Sequence, residues 1–150
     1  MRRLPLVLAA VAGFAISAMA LAAIKPGTAV AYRQGVYRAI LWNFVPMNDM
    51  VRGRAPWNQV EFAKRAARVS FYSQQLLEGF PPGSRTGRSE AKPGIWTHWP
   101  DFEAKMQAFE NASATMAQTA RGTDEAATKA AFAKTAETCK SCHDKYRRND

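Results

Sequence analysis

Two cysteines and a histidine near the C-terminus are the residues of this 150-residue chain best suited to specific chemistry. Cys139 and Cys142 are separated by two residues, and His143 directly follows the second thiol, in the pattern C-x-x-C-H. Residues three and four apart share one face of a helix, so both thiols can form thioethers with the vinyl groups of one porphyrin. The motif therefore predicts covalent attachment of haem c, one per chain, with His143 as the proximal metal ligand.

Three other uses of the cysteine pair compete with haem attachment. A disulfide is the default for two cysteines in an exported protein, but it would ignore His143 and bridge positions i and i+3 of a helix. A thioredoxin-like thiol pair normally lies beside a βαβ unit, which this sequence lacks. Structural zinc requires four ligands, and beyond these three only His98 is available, far away in the chain. A thiol redox protein without haem is a third and more remote possibility for the function.

The N-terminus has the pattern of an export signal. Two arginines precede an uncharged, alanine-rich stretch over 4–24, and small residues at its end provide cleavage sites. We expect cleavage after Ala22, so that 1–22 is a signal peptide and 23–150 is the mature domain. The alternative is an uncleaved membrane anchor, which the length of the stretch would just allow. An internal proline and glycine disfavour that alternative.

The expected export predicts a periplasmic location, with no membrane association after cleavage. The formal charge is +9, and removal of Arg2 and Arg3 lowers Lys+Arg from 21 to 19 against 12 acids, leaving +7. Nucleic acid is a poor candidate partner, because the protein is exported and its positive charge is spread along the chain. An acidic redox partner or simple solubility explains the charge equally well.

Helical periodicity divides the mature chain into four segments. The first runs from Ala29 to about Val51, and Pro46 is expected to bend it. The second begins at a capping box, Asn58 with Glu61, and ends at Gly79. The third opens at Thr97 and is closed by Gly122, and the fourth begins at Thr123 or Asp124 and runs into the cysteine motif. The long crossover between the second and third segments covers Phe80 to Trp96.

These segments predict an all-α fold, an antiparallel up-down four-helix bundle with short, long and short connections. Each segment carries apolar residues at helical spacing that are expected to face the core. They are Tyr32, Val36, Ile40 and Met47 in the first, with Tyr37, Leu41 and Phe44 beside them; Val60, Ala63, Ala67, Phe71 and Leu77 in the second; Phe102, Met106, Phe109, Ser113, Met116 and Ala120 in the third; and Ala127, Ala131, Phe132 and Thr135 in the fourth.

The chain resembles a cytochrome c′, a class II c-type cytochrome that places C-x-x-C-H at the C-terminal end of a four-helix bundle. The resemblance covers about residues 26 to 148. Its most specific block is Cys139-Lys140-Ser141-Cys142-His143-Asp144-Lys145-Tyr146-Arg147, and the supporting blocks are Tyr32-Arg33-Gln34, Val51-Arg52-Gly53, Ala55-Pro56-Trp57 and Pro93-Gly94-Ile95-Trp96.

The resemblance implies roles for two arginines around the haem. Arg33 is expected to approach a haem propionate, where its forked donors suit a carboxylate. Arg147 lies one turn after His143, and the resemblance places it against the open side of the imidazole, where it influences ligand arrival. For each arginine the alternative is an ordinary solvated side chain, which near a helix C-terminus also favours the helix dipole.

The resemblance also assigns the side of the haem opposite His143 to Tyr37, four residues after Arg33. Low-spin relatives carry a ligating methionine there, and this sequence departs from them. A neutral phenol, with an unperturbed pKa near 10, is a poor ligand for ferrous iron. We therefore expect Tyr37 to cover a five-coordinate, high-spin iron, with phenolate ligation as the alternative.

Two functions fit such a haem protein. The first is electron transfer with redox partner proteins, and the second is binding, scavenging or sensing of nitric oxide or carbon monoxide at the same haem. An enzyme is not expected, because no nucleophile–base pair or carboxylate dyad stands out. The resemblance further implies a homodimer formed through the first two helices.

Overall fold

The computed structural model describes residues 24–85 and 89–148, so the expected signal peptide lies outside the described residues. The described chain contains α1 (Pro26–Val51), α2 (Gln59–Ser73), a 3₁₀ turn (Leu77–Gly79), α3 (Gly94–Thr97), α4 (Trp99–Thr119) and α5 (Glu125–Tyr146). The four long helices pack as an up-down bundle, which confirms the predicted fold. Within these ranges we find no helix that is both long and apolar enough to span a bilayer.

Local sequence signals set most of the helix starts. The Asn58 side chain accepts a hydrogen bond from the Glu61 amide at 3.0 Å, as the capping box predicts. Asp124 caps α5 in the same way, accepting from the Ala127 amide at 2.9 Å. The first turns of α1 and α4 each contain a proline, whose missing N–H costs nothing there.

The end of α2 differs from the sequence expectation. Regular helix stops at Ser73, and the chain reaches Gly79 through a 3₁₀ turn. Gly79 instead allows close packing, because a Cβ at this position would lie 2.5 Å from Cβ of Arg33 on α1. The glycine that marks the end of the segment in the sequence is therefore required by a tertiary contact.

Helix α1 continues through Pro46, which lies inside it, as expected for a proline that bends the helix without ending it. Proline has no N–H, so the carbonyl of Trp42 four residues earlier loses its helical donor. Nη1 of Arg65 on α2 donates to that carbonyl at 3.2 Å. Arg65 is held for this contact by an ion pair with Glu61 at 2.8 Å. A side chain of the neighbouring helix thus replaces the backbone donor that Pro46 removes.

A double-mutant cycle between Arg65 and Pro46 tests this replacement. In the natural background, Arg65→Gln is expected to cost about 1 kcal/mol of unfolding free energy, the usual net worth of one hydrogen bond. In a Pro46→Ala background the cost is expected to fall by about half or more, because the backbone again supplies a donor to Trp42. Urea unfolding of the four proteins measures the coupling. Equal costs in both backgrounds would show that Arg65 does not compensate for the proline.

The core faces of α1 and α4 are largely as predicted. All six residues of the predicted α4 stripe are buried, as are Val36, Ile40 and Met47 of α1. Tyr32 is more exposed than expected, and its hydroxyl donates to Glu78 at 3.1 Å. Leu41 of α1 also lies on the surface.

The predicted core face of α2 is wrong. Val60 and Phe71 are 80% and 62% exposed, and the core face is formed by Phe62, Ala66, Val69 and Ser73. Both faces of α2 carry apolar residues at helical spacing, so periodicity alone does not select between them. Aromatic packing decides, because the Phe62 ring lies 5.0 Å from the Trp57 ring and 6.0 Å from the Phe132 ring. On α5, Phe132 and Thr135 are buried as predicted, whereas Thr128 is buried in place of the exposed Ala127.

Candidate functional site

The C-x-x-C-H motif lies in the last two turns of α5. An ion pair between Lys140 and Asp144 at 2.6 Å supports the helix on its exposed side. Cys142 is buried, while Cys139 and His143 are half-buried. Both cysteines are free thiols. The helix therefore presents two thiols and an imidazole toward the bundle, in the order that the motif predicts.

The two thiols are protonated at neutral pH. Burial raises the pKa of Cys139 and of Cys142 to about 11, and at Cys139 the neighbouring thiol raises it further. Reactive cysteines of thiol redox proteins instead have a lowered pKa, because the thiolate is the nucleophile. This environment disfavours the thioredoxin-like use of the pair.

The surroundings of His143 favour the neutral form of its imidazole. Burial lowers the pKa of its imidazole, the Arg147 guanidinium lowers it further, and the carboxylates of Asp144 and Glu90 act in the opposite direction. A neutral imidazole is the form that coordinates a metal ion. Among the described residues no group of three or more His, Cys, Asp or Glu could hold a metal ion, so the zinc alternative has no support there.

The ring of Tyr37 on α1 lies near the ring of His143. The two ring centres are 6.4 Å apart and the rings meet edge to face, with an interplanar angle of 63°. Burial raises the pKa of the Tyr37 phenol well above its ordinary value, and the two thiols raise it further, against smaller opposing effects of Arg33 and Arg147. The phenol is therefore neutral at physiological pH.

These residues fit haem c. Two free thiols can form the two thioethers, a neutral imidazole is available next to the second, and the ring of Tyr37 lies near that imidazole. Cys139, Cys142 and Tyr37 all pack in or against the hydrophobic core, which supplies the apolar surroundings that a porphyrin needs. These residues would hold a covalently attached haem, with the imidazole of His143 available to its iron.

Arg33 lies one turn before Tyr37 and is buried, with 3% of its surface exposed. Its Nη1 donates to the Gly79 carbonyl at 2.9 Å and to Ser84 Oγ at 3.0 Å. Its Nη2 donates to the Ser84 carbonyl at 3.1 Å and to Ser89 Oγ at 2.5 Å. These bonds can use all four Nη hydrogens, so residues of the crossover already occupy the donors that the resemblance assigns to a haem propionate.

The guanidinium of Arg33 also stacks on two aromatic rings, 4.7 Å from the centre of Phe80 and 6.0 Å from that of Trp96. Burial lowers the pKa of Arg33, with a smaller opposing effect of Tyr37, although a guanidinium stays charged in proteins. The crossover after α2 is thus organised around a buried cation. Sequence reasoning selected Arg33 but missed this role.

Arg147 follows the end of α5 and is exposed. Its amide donates to the His143 carbonyl at 3.0 Å, and its Nε donates to Glu90 Oε2 at 2.5 Å. Glu90 lies in the crossover, so it was not singled out by periodicity or by the motif. A pairing between residues so distant in sequence leaves no local signal.

A second contact missed by the sequence analysis joins the end of α5 to α4. The Tyr146 hydroxyl donates to Asp101 Oδ2 at 2.5 Å, and Lys145 Nζ donates to the same oxygen at 2.9 Å. These two hydrogen bonds lower the pKa of Asp101. The last turn of α5, which carries His143, therefore contacts α4 through Tyr146 and Lys145, and Arg147 after it contacts the crossover through Glu90.

Comparison with known proteins yields one family. The family model described as Cytochrome C′ matches residues 28–147. Cytochrome c′ of Rubrivivax gelatinosus is 36% identical over 124 residues, which cover 82% of this chain and 96% of that protein. Cytochrome c′ of Alcaligenes xylosoxydans xylosoxydans is 32% identical, over 83% of this chain and 96% of that protein.

Solved structures agree with this similarity. Cytochrome c prime from Shewanella frigidimarina superposes with a TM-score of 0.82 at 38% identity, covering 83% of this chain and 98% of that one. A nitric oxide complex of a leucine-to-isoleucine variant of cytochrome c prime from Alcaligenes xylosoxidans superposes with a TM-score of 0.77 at 31% identity, over 83% and 98% of the two chains.

Proposed function

The chain belongs to the cytochrome c′ family, whose members carry covalently bound haem c, and we propose that it binds a small diatomic gas, nitric oxide or carbon monoxide, at the haem iron. The bound haem supplies an iron with one coordination position left open. Cys139 and Cys142 attach the group, and His143 is its proximal ligand. Tyr37 covers the opposite side. The protein acts in this proposal as a gas-binding sink or sensor and not as an enzyme.

The observation that carries the proposal is the Tyr37 ring lying opposite His143 at 6.4 Å, with a phenol that burial keeps neutral. A neutral phenol does not compete for ferrous iron as a methionine or histidine would. It nevertheless crowds the open position, so that only a small neutral ligand can enter. Nitric oxide complexes of variants of a relative from Alcaligenes xylosoxidans support the same use of the haem.

Visible spectra of the holoprotein test this function. We expect the ferrous protein to show a broad, high-spin Soret band that shifts when carbon monoxide or nitric oxide is added, because His143 is then the sole axial ligand supplied by the protein. The ferric protein without added gas serves as the reference state. A sharp, split α/β spectrum that responds to neither gas would contradict gas binding and indicate a six-coordinate electron carrier.

Electron transfer is the second candidate, and the charges around the motif favour it. Lys92, Lys105 and Arg148 donate to neutral oxygens, those of the Asp144 carbonyl at 3.3 Å, Ser141 Oγ at 2.8 Å and the Ser89 carbonyl at 2.6 Å. These bonds leave the charge of each cation available to an acidic redox partner. The gas-inert, low-spin outcome of the spectra would assign the protein to this function.

Periplasmic location follows from the expected signal peptide, residues 1–22, which lies outside the described residues. Export would place the haem where periplasmic redox proteins and dissolved gases meet it. Mass spectrometry of a periplasmic extract tests this. A holoprotein that begins at Ala23 is the expected result, and a chain that retains its first residues in the membrane fraction would contradict it.

A homodimer formed through α1 and α2 is supported by an apolar surface on these helices. Trp42 is 77% exposed, and Leu41, Val45 and Phe71 are also exposed. A groove of about 320 Å³ lies at Trp42, between Pro46 and Arg65. Sedimentation equilibrium of the holoprotein is expected to show a dimer that Trp42→Glu dissociates, because a charge would be buried at the interface. A natural protein that sediments as a monomer would contradict the proposed homodimer.

A further inference from the structure

Tyr146, in the last turn of α5, is a buried tyrosine with a fixed proton acceptor. It is 3% exposed, and its hydroxyl donates to Asp101 Oδ2 at 2.5 Å. Lys145 Nζ donates to the same oxygen at 2.9 Å and holds the carboxylate in place. Tyr146 lies four residues after Cys142 and therefore on the same face of the helix. A tyrosine that can give up its proton is thus next to the point of haem attachment.

A row of aromatic rings leads from Tyr146 toward the surface. The Tyr146 ring meets the buried ring of Phe102 edge to face, with the two centres 5.3 Å apart. The ring of Trp99, at the start of α4, is centred 5.7 Å from that of Phe102, and Trp99 is only half-buried. Separations of this size permit electron tunnelling between neighbouring side chains. Phe102 therefore bridges a buried tyrosine and a tryptophan that reaches solvent.

Tyrosine and tryptophan are the aromatic side chains that can lose a single electron, and phenylalanine is not. A tyrosine is oxidised readily only if its phenolic proton leaves at the same time, which requires a base within hydrogen-bond distance. Asp101 meets this requirement at Tyr146. The hydrogen bonds from Tyr146 and Lys145 lower the pKa of Asp101, so its carboxylate is ionised at neutral pH and free to accept the proton.

We propose that Tyr146 is a redox-active tyrosine, which supplies an electron to the haem site when hydrogen peroxide oxidises that site and passes its proton to Asp101. This inference goes beyond gas binding and rests on the same open position at the iron. Hydrogen peroxide takes two electrons from the haem site and, with two protons from solvent, becomes two molecules of water. Tyr146 replaces one of these electrons, its proton moves along the hydrogen bond to Asp101 Oδ2, and a neutral tyrosyl radical remains.

The aromatic row then carries the oxidising equivalent outward. Trp99 donates an electron through Phe102 to the tyrosyl radical, the proton returns from Asp101 to the phenol oxygen, and the indole N–H proton is released to solvent. The resulting tryptophanyl radical takes one electron and one proton from a soluble reductant such as ascorbate. A second passage through the same steps replaces the other electron. Oxidation by peroxide is thus diverted from the haem to a soluble reductant.

Freeze-quench EPR of the ferric holoprotein mixed with hydrogen peroxide tests the proposal. The natural protein is expected to form a radical whose hyperfine splitting narrows when its tyrosines are ring-deuterated. Tyr146→Phe keeps the ring packing and is expected to lose this signal, and its Soret band is expected to bleach faster in peroxide. Tyr32→Phe is the matched control, because Tyr32 also donates to a carboxylate, that of Glu78, but at an exposed position on α1. It is expected to keep the signal.

Asp101→Asn distinguishes proton transfer from packing, because asparagine keeps the size and a hydrogen-bond acceptor but is not a base. This variant is expected to lose the tyrosyl signal, and Asp101→Glu is expected to restore it. Trp99→Phe is expected to slow the reduction of the tyrosyl radical by ascorbate. A tyrosyl signal that survives in Tyr146→Phe or in Asp101→Asn overturns the inference, as does a radical that ascorbate reduces equally fast in Trp99→Phe.

The failure of this inference and the failure of the proposed function give different results. A natural protein that binds carbon monoxide but forms no tyrosyl radical in peroxide overturns the inference and leaves gas binding standing. If the natural protein binds no gas, the proposed function fails. Flash-generated ruthenium(III) tris(bipyridine), a one-electron oxidant that requires no open position at the iron, then replaces peroxide in the same EPR experiment. A signal that is absent, or that does not depend on Tyr146, overturns the inference in that case too.

Discussion

Replacing Tyr37 with alanine is expected to raise the carbon monoxide affinity of the ferrous holoprotein about 5- to 150-fold. The estimate follows from overpacking, which typically costs 1–3 kcal/mol where a side chain crowds a site. The Tyr37 ring lies 6.4 Å from the ring of His143, and the proposed function places the incoming ligand on the side that this ring covers. Equilibrium titration followed at the Soret band measures the change.

Tyr37→Phe distinguishes the effect of the Tyr37 hydroxyl on ligand affinity from the effect of its bulk, because it keeps the ring and removes the oxygen. A steric lid predicts an affinity within about threefold of the natural protein and an unchanged ferric spectrum, because the phenyl ring keeps the bulk that crowds the site. Tyr32→Ala, on the same helix but at an exposed position, controls for general loosening of α1. If Tyr37→Phe alters the ferric spectrum as strongly as Tyr37→Ala, the phenol oxygen is an iron ligand, and the interpretation of Tyr37 as a steric lid is wrong.

Replacing Arg33 with methionine is expected to destabilise the protein by about 3–5 kcal/mol. The guanidinium is buried and donates four hydrogen bonds to the backbone and hydroxyl oxygens of Gly79, Ser84 and Ser89. A methionine of similar length leaves these acceptors in the interior without donors. The free-energy cost of the unsatisfied acceptors is expected to exceed the free energy gained by no longer burying a charge. Guanidinium chloride unfolding of the holoprotein measures the loss.

Two further variants show whether the hydrogen bonds of Arg33 or its charge are responsible. Arg33→Lys keeps the charge but cannot reach four acceptors with one ammonium, so a substantial part of the loss is expected to remain. Arg38→Met, at an exposed position on the same helix, is expected to change stability by less than about 0.5 kcal/mol. A loss in Arg33→Met no larger than that of Arg38→Met would mean that the crossover does not depend on Arg33.

The features that could be predicted from the residues alone are those that depend on neighbours within one or two helical turns. The C-x-x-C-H spacing predicted haem attachment, and membership of the cytochrome c′ family bears out that cofactor. The cap of α2 at Asn58 and the buried stripe of α4 followed from residues three and four apart. These features could be predicted because helix periodicity and capping act over short separations along the chain.

The face of α2 that enters the core could not be predicted, because both faces are apolar and the choice depends on packing of Phe62 against Phe132 of α5. The same holds for Arg33, whose buried acceptors lie 46 to 56 residues away, and for Glu90, which meets Arg147 across 57 residues. Such contacts exist only once the bundle has brought the crossover against α1 and the C-terminal end. Their energy comes from burial and from hydrogen bonds between distant segments, which no local pattern of residues encodes.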